Sequence, residues 1–224
     1  MTNTALAPTA VPPPAHPWQL PSQPSIREVV TDRVRRAILE QEIRPGTRVR
    51  QTQLADALGV SRMPVRDAIQ DLVAEGLLHA LPAGGVQVPD FEIEDVLDAL
   101  VLRGPLETEA VRTVMGRAPA SSELLDLLSA GTGLGFHRSL CDLAGNRFLT
   151  SALVPIWTQV ERAAFVLTQP SVCRPGSGDH ETIALALVRK DLTTATRALV
   201  GHLAAACDEV ADEWSRTALA SKAS

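Results

Sequence analysis

Apolar residues in the first third of the chain recur at helical spacing. After the capping-box sequence Ser25-Ile26-Arg27-Glu28, an apolar residue occupies every fourth position, at Ile26, Val30, Val34 and Ile38. This stripe predicts a helix that continues to about Ile43. A second short helix is predicted from about Thr52 to Leu58, and a third from Arg62 to Glu75, where Gly76 stops it.

Two short apolar runs follow these helices. They occupy residues 77–81 and 86–88 and are separated by Pro82-Ala83-Gly84-Gly85, a pattern typical of a β-hairpin. Three helices followed by a hairpin are the element order of a winged helix-turn-helix. We therefore predict a DNA-binding domain over residues 25–89.

The turn before the third helix has the residues that such a turn requires. Gly59 tolerates a left-handed backbone, Ser61 can cap the next helix, and Pro64 falls in its first turn, where a missing N–H costs nothing. The helix then has a predicted buried face formed by Val65, Ala68, Ile69, Leu72 and Val73. Arg62, Met63 and Arg66 lie on the other face, where paired guanidinium groups suit guanine edges or phosphates in a major groove.

The apolar pattern of the rest of the chain predicts helices, so the predicted fold class is mainly α. Residues 90–224 form a predicted all-α domain, while the Pro- and Ala-rich residues 1–24 are predicted to be a disordered tail. The predicted helices span about 92–115, with Pro105 as a kink, then 121–130, 136–143, 148–168, 179–190 and 192–218. Breaks are predicted at Gly131–Gly135 and Pro170–Gly178.

The distribution of charge favours DNA contact through one end of the molecule. The net charge is −5, yet residues 25–66 hold nine arginines against five acidic residues. Residues 91–224 hold 12 basic and 17 acidic residues. A basic N-terminal unit joined to an acidic remainder fits DNA binding, although arginines scattered over exposed helices would give the same balance.

Composition also indicates the compartment. The content of aromatic residues is only 3%, which suits helix packing by Leu, Ala and Val. The three cysteines are odd in number and widely spaced, so a disulfide framework is not expected. No apolar run is long enough to span a bilayer, and the N-terminus lacks the pattern of a signal peptide. These features predict a reduced, cytoplasmic protein.

The N-terminal unit resembles the GntR family of bacterial transcriptional regulators. The resemblance rests on Arg44-Pro45-Gly46-Thr47-Arg48-Val49, on Leu54 to Arg62, on Pro64-Val65-Arg66-Asp67-Ala68, on Leu72, on Glu75-Gly76-Leu77 and on Gly85-Val86-Gln87-Val88. The remainder resembles the FCD-type ligand-binding domain of the FadR-like branch. That resemblance rests on Arg103, Leu106-Glu107, Phe136-His137, Ala144-Gly145-Asn146, Asp179-His180 and His202.

This resemblance implies how DNA is bound. It implies a homodimer on a two-fold symmetric operator, with contacts from Ser61, Arg62, Met63 and Arg66 and a wing tip, including Gly84 and Gly85, near the minor groove. The chain departs from the family at Thr52, where relatives often have an arginine, and in a wing without basic residues. Both departures predict fewer phosphate contacts and a shallower dependence on salt.

The resemblance also implies a sensor for a small, carboxylate-bearing metabolite, with a possible divalent metal such as zinc. In metal-binding members of this branch three histidines and one aspartate hold the metal, and here the histidines are His137, His180 and His202. The aspartate position is Gly133, so the fourth ligand is missing or comes from elsewhere. Three neutral imidazoles can hold zinc together with water or an effector carboxylate, but they can equally be polar core residues.

Two further residues have alternative roles. Arg103 is the natural partner for an effector carboxylate, or it forms an ordinary ion pair with Glu107 one turn along the same helix. Asn146 is either a helix cap or a pocket residue that contacts the effector.

The main interpretation is a transcriptional regulator without enzyme activity, and the resemblance to the family implies that it acts as a repressor. A metal-dependent enzyme built on the three histidines would need a general acid or base beside the metal, and the spacing reveals none. A third possibility is a degenerate helical domain that dimerises but senses nothing, which the Gly131–Gly135 break and the shortened helix before it would suit.

Overall fold

The computed structural model describes residues 24–129, 133–167 and 177–222. Its N-terminal part contains the helices α1 (Ile26–Leu39), α2 (Gln51–Leu58) and α3 (Arg62–Ala74), and the strands β1 (Arg48–Val49), β2 (His79–Ala80) and β3 (Val86–Gln87). The winged helix-turn-helix predicted from the sequence is therefore confirmed. The predicted tail lies outside the described residues except for Pro24, and the predicted loop at 170–178 lies mostly outside them. The predicted break at Gly131–Gly135 is too long, because a helix already begins at Leu134.

The wing is a three-stranded antiparallel sheet in the order β1-β3-β2. Arg48 lies opposite Gln87 and Val49 opposite Val86, while His79 and Ala80 pair with the other edge of β3. The hairpin was predicted, but β1 was not. A strand of two residues carries no alternating pattern, so only its pairing partner reveals it.

Most helix ends follow the sequence signals, but α1 ends at Leu39 and not at about Ile43, because Gln41 already has a left-handed φ of 59°. The backbone amide of Glu28 donates to the hydroxyl of Ser25 at 3.2 Å, and Gly59 has a left-handed φ of 65°, both as predicted. The predicted cap at Ser61 is wrong in one respect, because Ser61 has the N-cap backbone conformation but its side chain makes no capping hydrogen bond. Val73, predicted to be buried, is exposed.

The C-terminal part consists of six helices among the described residues. They are α4 (Ile93–Arg117), α5 (Ser121–Ser129), α6 (Leu134–Ala144), α7 (Arg147–Val166), α8 (Ser177–Val188) and α9 (Leu192–Lys222). Helix α4 packs against α6, α7 and α9, and α8 packs against α5 and α9. The all-α prediction is confirmed, and α4 forms the central element against which α6, α7 and α9 pack.

Two separate apolar cores divide the described chain. One is built from α1, α2, α3 and the wing and ends at Val88, and the other begins at Ile93 and fills the helical bundle. Arg162 of α7 contacts the short connection between them, donating to the carbonyl oxygens of Pro89 at 2.9 Å and Asp90 at 3.3 Å. Among the described helices, none has the length and apolar character needed to cross a membrane.

Candidate functional site

The exposed face of α3 carries the residues predicted to contact DNA. Ser61, Arg62, Met63 and Arg66 are all exposed, and Met63 retains 56% of its accessible surface. Behind them, Val65, Ala68 and Leu72 are buried and anchor the helix to the domain core. This arrangement leaves two guanidinium groups at the surface, and that of Arg66 also lies 3.4 Å from Oδ1 of Asp67 through its Nη2 atom.

The wing tip projects a nearly bare backbone. Gly84 and Gly85 are exposed and have φ values of 84° and 86°. A Cβ atom added at either position would have no atom within 4 Å among the described residues. Leu81 closes the turn, because its N–H donates to the carbonyl of Gly85 at 3.0 Å and its carbonyl accepts from Gly84 at 2.9 Å. Glycine is thus required here by the backbone conformation rather than by lack of space.

Some N-terminal arginines are held in ion pairs within the domain. Arg27 and Arg35 of α1 form ion pairs with Asp71 and Glu75, which hold α1 against α3 and the turn after it. The bound guanidinium of Arg27 lowers the pKa of Asp71 despite partial burial. The basic excess read from the sequence therefore overstates the charge that this domain offers to DNA.

The three histidines converge in the helical domain. His137 of α6, His180 of α8 and His202 of α9 are all buried. Their Nε2 atoms form a nearly equilateral triangle, with separations of 3.2 Å between His137 and His202 and 3.3 Å for each of the other pairs. Within the described chain these three residues form a group whose ligand atoms are close enough to share one metal ion.

Glu107 of α4 fixes one of these rings and links it to two other side chains. Its Oε2 lies 2.6 Å from Nδ1 of His137, and its Oε1 accepts from Nε1 of Trp157 at 3.0 Å and from Nε of Arg103 at 2.8 Å. From the sequence, Glu107 was expected only as an ion-pair partner of Arg103 and as part of the FCD resemblance, and no contact with a histidine was predicted. A signal was present, because Glu107 falls on the buried stripe of α4 together with Leu100, Arg103, Val111 and Val114.

Burial and charge set the protonation states at this site. Burial lowers the pKa of all three histidines, to about 3 for His180, so the imidazoles are neutral at pH 7. Burial alone would raise the pKa of Glu107, but the neighbouring His137 and Arg103 and the hydrogen bonds outweigh it and lower that pKa to about 2. Glu107 is consequently a carboxylate that can only accept hydrogen bonds.

The tautomer of His137 follows from this charge. Because Glu107 only accepts, the hydrogen of His137 lies on Nδ1 and its Nε2 presents a lone pair toward the other rings. Asp179, whose Oδ2 lies 3.4 Å from Nδ1 of His202, favours the same tautomer there. Two lone pairs that face each other 3.2 Å apart repel, whereas a shared cation would stabilise both.

The spacing of the nitrogens suits such a cation. Ligands at about 2.0–2.1 Å from a tetrahedral zinc ion are separated from each other by about 3.3–3.4 Å. The observed separations of 3.2 and 3.3 Å agree with that value. The donor set therefore fits zinc or a similar divalent ion better than a group of imidazoles that bond only to one another.

The remaining predicted site residues have different surroundings. Arg103 is 3% exposed, and its second terminal nitrogen, Nη2, has no hydrogen-bond partner among the described residues. Gly133 lies at the N-cap of α6 with a φ of 72° and contributes no side chain. Asn146 is exposed and accepts from the amides of Phe148 and Leu149, so its observed hydrogen bonds are those of a helix cap.

Comparison with family models identifies both parts of the chain. The model described as "Bacterial regulatory proteins, gntR family" matches residues 26–88, and the FCD domain model matches residues 98–205. The chain is 30% identical over 139 residues to the regulator YdhC of Bacillus subtilis (strain 168), an alignment that covers 54% of this chain and only 62% of YdhC.

A relative aligned over more of its length is the "Probable D-xylose utilization operon transcriptional repressor" of Paenarthrobacter nicotinovorans. The two are 27% identical over 196 residues, which is 81% of this chain and 87% of the relative.

Solved structures share the fold. The regulator McbR/YncC of E. coli superimposes with a TM-score of 0.65 at 20% identity, covering 86% of this chain and all of that one. A GntR regulator from Rhodococcus sp. RHA1 gives a TM-score of 0.64 at 23% identity, covering 83% and 97%. With both family models matched in order along one chain, this protein belongs to the GntR family of DNA-binding transcriptional regulators and carries an FCD domain.

Proposed function

We propose that the protein is a repressor that binds a two-fold symmetric operator as a homodimer and responds to a small carboxylate metabolite held in the FCD domain. The observation that carries this proposal is the buried triangle of imidazole nitrogens beside a partly unpaired guanidinium. Because its partner is DNA, the protein would act in the cytoplasm.

The DNA contacts are assigned to the exposed residues of α3 and the wing tip. Arg62 and Arg66 are spaced by one helical turn and both are exposed, so they can enter one major groove together. Ser61 and Met63 flank them, while Gly84 and Gly85 let the wing approach the minor groove closely. Because α3 is short and would contact few base pairs, a second copy of the protein is needed for specificity.

The surface of the helical domain supports pairing with a second copy. Val101 of α4 and Val200 of α9 are exposed and line the same groove, and Leu102 lies exposed next to Val101. Large apolar side chains grouped on a surface are typical of an interaction site. Light scattering would test the stoichiometry, since a monomer at micromolar concentration would contradict the homodimer.

A divalent metal would be held by Nε2 of His137, His180 and His202. When bound, the metal would supply a Lewis-acidic position for an oxygen ligand, because the position of an aspartate ligand is Gly133 and three protein ligands leave one place open. Glu107 and Asp179 would orient the rings through Nδ1, which is the usual arrangement around histidine ligands.

The free nitrogen of Arg103 would then bind the effector. Burial is the main cause of the lowered pKa values of the three histidines, and the positive charge of Arg103 lowers them further. A carboxylate that contacts this nitrogen would satisfy a buried donor that otherwise lacks a partner. Arg103 keeps its ion pair with Glu107 in this arrangement, so both alternatives from the sequence apply to different nitrogens.

Helix α7 offers a route from the effector site to the DNA-binding domain. Trp157 on this helix donates to Glu107, and Arg162 further along it donates to the carbonyls of Pro89 and Asp90. Ligand-dependent movement of Glu107 would therefore displace the helix that holds the connection between the domains.

The DNA assignment is tested by replacing Arg62 and Arg66 with alanine and measuring operator binding by gel shift. We expect binding to be abolished while the circular dichroism spectrum and the oligomeric state are retained, because both side chains are exposed. Unchanged affinity would overturn the assignment.

The sensor is tested by metal analysis and by melting curves with zinc, manganese, nickel and a chelator. We expect one metal per chain and a melting temperature that falls with the chelator. The absence of any shift with metals and organic acids would instead favour a domain that only dimerises. Turnover of hydrolase or lyase substrates by zinc-loaded protein would favour an enzyme.

A further inference from the structure

The strand β1 brings a basic side chain to the base of the wing. Arg50 directly follows β1 and continues its extended backbone, with φ −106° and ψ 125°. The pairing of Arg48 with Gln87 and of Val49 with Val86, continued by one residue, places Arg50 beside Gly85. The hairpin itself has no lysine or arginine, and β1, which adds basic residues to the wing, was not predicted from the sequence.

The side chain of Arg50 faces solvent. Successive residues of a strand point to opposite faces, and Val49 is buried in the domain core, so Arg50 points away from it. Arg50 is exposed and, among the described residues, forms no ion pair. It also makes no capping hydrogen bond to α2. Its charge is therefore not used within the domain.

Arg50 also lies next to the hydrogen bond that joins α2 to α3. The neighbouring Gln51 donates from Nε2 to the carbonyl oxygen of Arg62 at 2.7 Å, at the first residue of α3. This hydrogen bond and the strand pairing place Arg50 between the N-terminus of α3 and the wing. A duplex that contacts both of these elements passes this position.

We propose that Arg50 binds a phosphate of the DNA backbone at the edge of the minor groove that the wing tip approaches. Glycine at position 85 leaves the side chain free to extend along the wing, and the guanidinium supplies the positive charge that the tip lacks. The proposal rests on DNA binding through α3 and the wing. It also predicts a steeper dependence on salt than a wing without basic residues would give.

The test measures binding to a fluorescein-labelled duplex of about 30 base pairs of arbitrary sequence, because a phosphate contact does not depend on sequence. Anisotropy titrations over a range of KCl concentrations compare the wild type with Arg50→Ala, Arg50→Lys and Arg36→Ala. Arg36 is the matched control, since it is an exposed arginine of α1 that faces the helical domain and has no ion pair within the described part of the chain.

Each lost phosphate contact reduces the slope of the logarithm of the DNA association constant against the logarithm of the salt concentration by about 0.9. A dimer of Arg50→Ala loses one contact in each copy, so its slope should fall by about 1.8. Arg50→Lys should retain most of the slope, and Arg36→Ala should behave as the wild type. Equal slopes for Arg50→Ala and Arg36→Ala, with unchanged melting temperatures, would overturn the proposal for Arg50.

A protein with both Arg62 and Arg66 replaced by alanine distinguishes this outcome from a failure of the DNA-binding surface itself. If that variant loses affinity while Arg50→Ala does not, the surface is correct and Arg50 lies outside it. If neither variant loses affinity, the assignment of the whole surface is wrong.

Discussion

The carboxylate of Glu107 lies 2.6 Å from Nδ1 of His137, although 30 positions separate the two residues. This contact joins α4, the central helix of the bundle, to the first of the three converging imidazoles. It orients the ring so that Nε2 faces His180 and His202. The geometry of the candidate metal centre therefore depends on a residue outside the histidine group.

Replacing Glu107 with glutamine should destabilise the protein strongly. The neutral amide leaves the Arg103 guanidinium, 3% exposed, as a buried charge without a counter-ion. Loss of one partner from a buried pair typically costs about 3–5 kcal/mol in the free energy of unfolding. Urea denaturation measures this change.

Glu109→Gln provides the control for that measurement. Glu109 lies on the same helix but is exposed, and its nearest ion-pair contact, to Arg112, is 3.8 Å long. Its replacement should change the stability by less than about 0.5 kcal/mol. Equal effects of the two substitutions would show that the contacts of Glu107 do not stabilise the fold.

Stability of the metal-free protein should fall as the pH is lowered below about 6.5. The folded state lowers the pKa of each clustered histidine, so the unfolded chain binds more protons once the pH falls below the ordinary histidine value. The contribution of these histidines to the free energy of unfolding is fully present above about pH 6.5. Below that pH, each histidine lowers the free energy of unfolding by up to about 1.4 kcal/mol per pH unit.

Urea titrations of chelator-treated protein between pH 7.5 and pH 5 measure this dependence. His202→Asn should flatten it, because one of the buried groups no longer titrates. His79→Ala, which removes an exposed histidine of the wing, is the control for the loss of an imidazole outside the buried group. A profile equally steep in the His202 variant would contradict the explanation.

Asp179→Ala should weaken zinc binding by about tenfold, the lower end of the range for residues that orient a histidine ligand. Its carboxylate lies 3.4 Å from Nδ1 of His202 and remains half exposed, so its influence is smaller than that of Glu107. Competition with a zinc-binding dye measures the affinity. Glu181→Gln, an exposed acid two residues away, is the control, and an equal loss there would indicate a general charge effect.

Arg162→Ala should loosen the connection between the two domains. The buried guanidinium donates to the carbonyls of Pro89 and Asp90 and lies over the ring of Phe91. Its removal leaves these carbonyls without that donor, so limited proteolysis at residues 89–92 should accelerate several-fold. Arg147→Ala, an exposed arginine on the same helix, should be cleaved at the wild-type rate. Equal rates for the two variants would contradict the role of Arg162.

The sequence alone was sufficient for the helices, for the hairpin and for the exposed face of α3. These features depend on local periodicity and on turn residues such as Gly59, which act over a few positions whatever the rest of the chain does. The same local signals failed at Ser61 and Val73, since side-chain hydrogen bonding and exposure there depend on neighbours distant in sequence.

Only the tertiary structure decided that His137, His180 and His202 meet, that Glu107 holds one of them, and that β1 brings Arg50 to the wing. The spacing of the histidines along the chain, 43 and 22 positions, has no periodic meaning, and the resemblance to a family supplied their grouping. Their convergence follows from the packing of α6 and α9 against α4 and of α8 against α9, because the direction of each side chain depends on how its helix is rotated against the others.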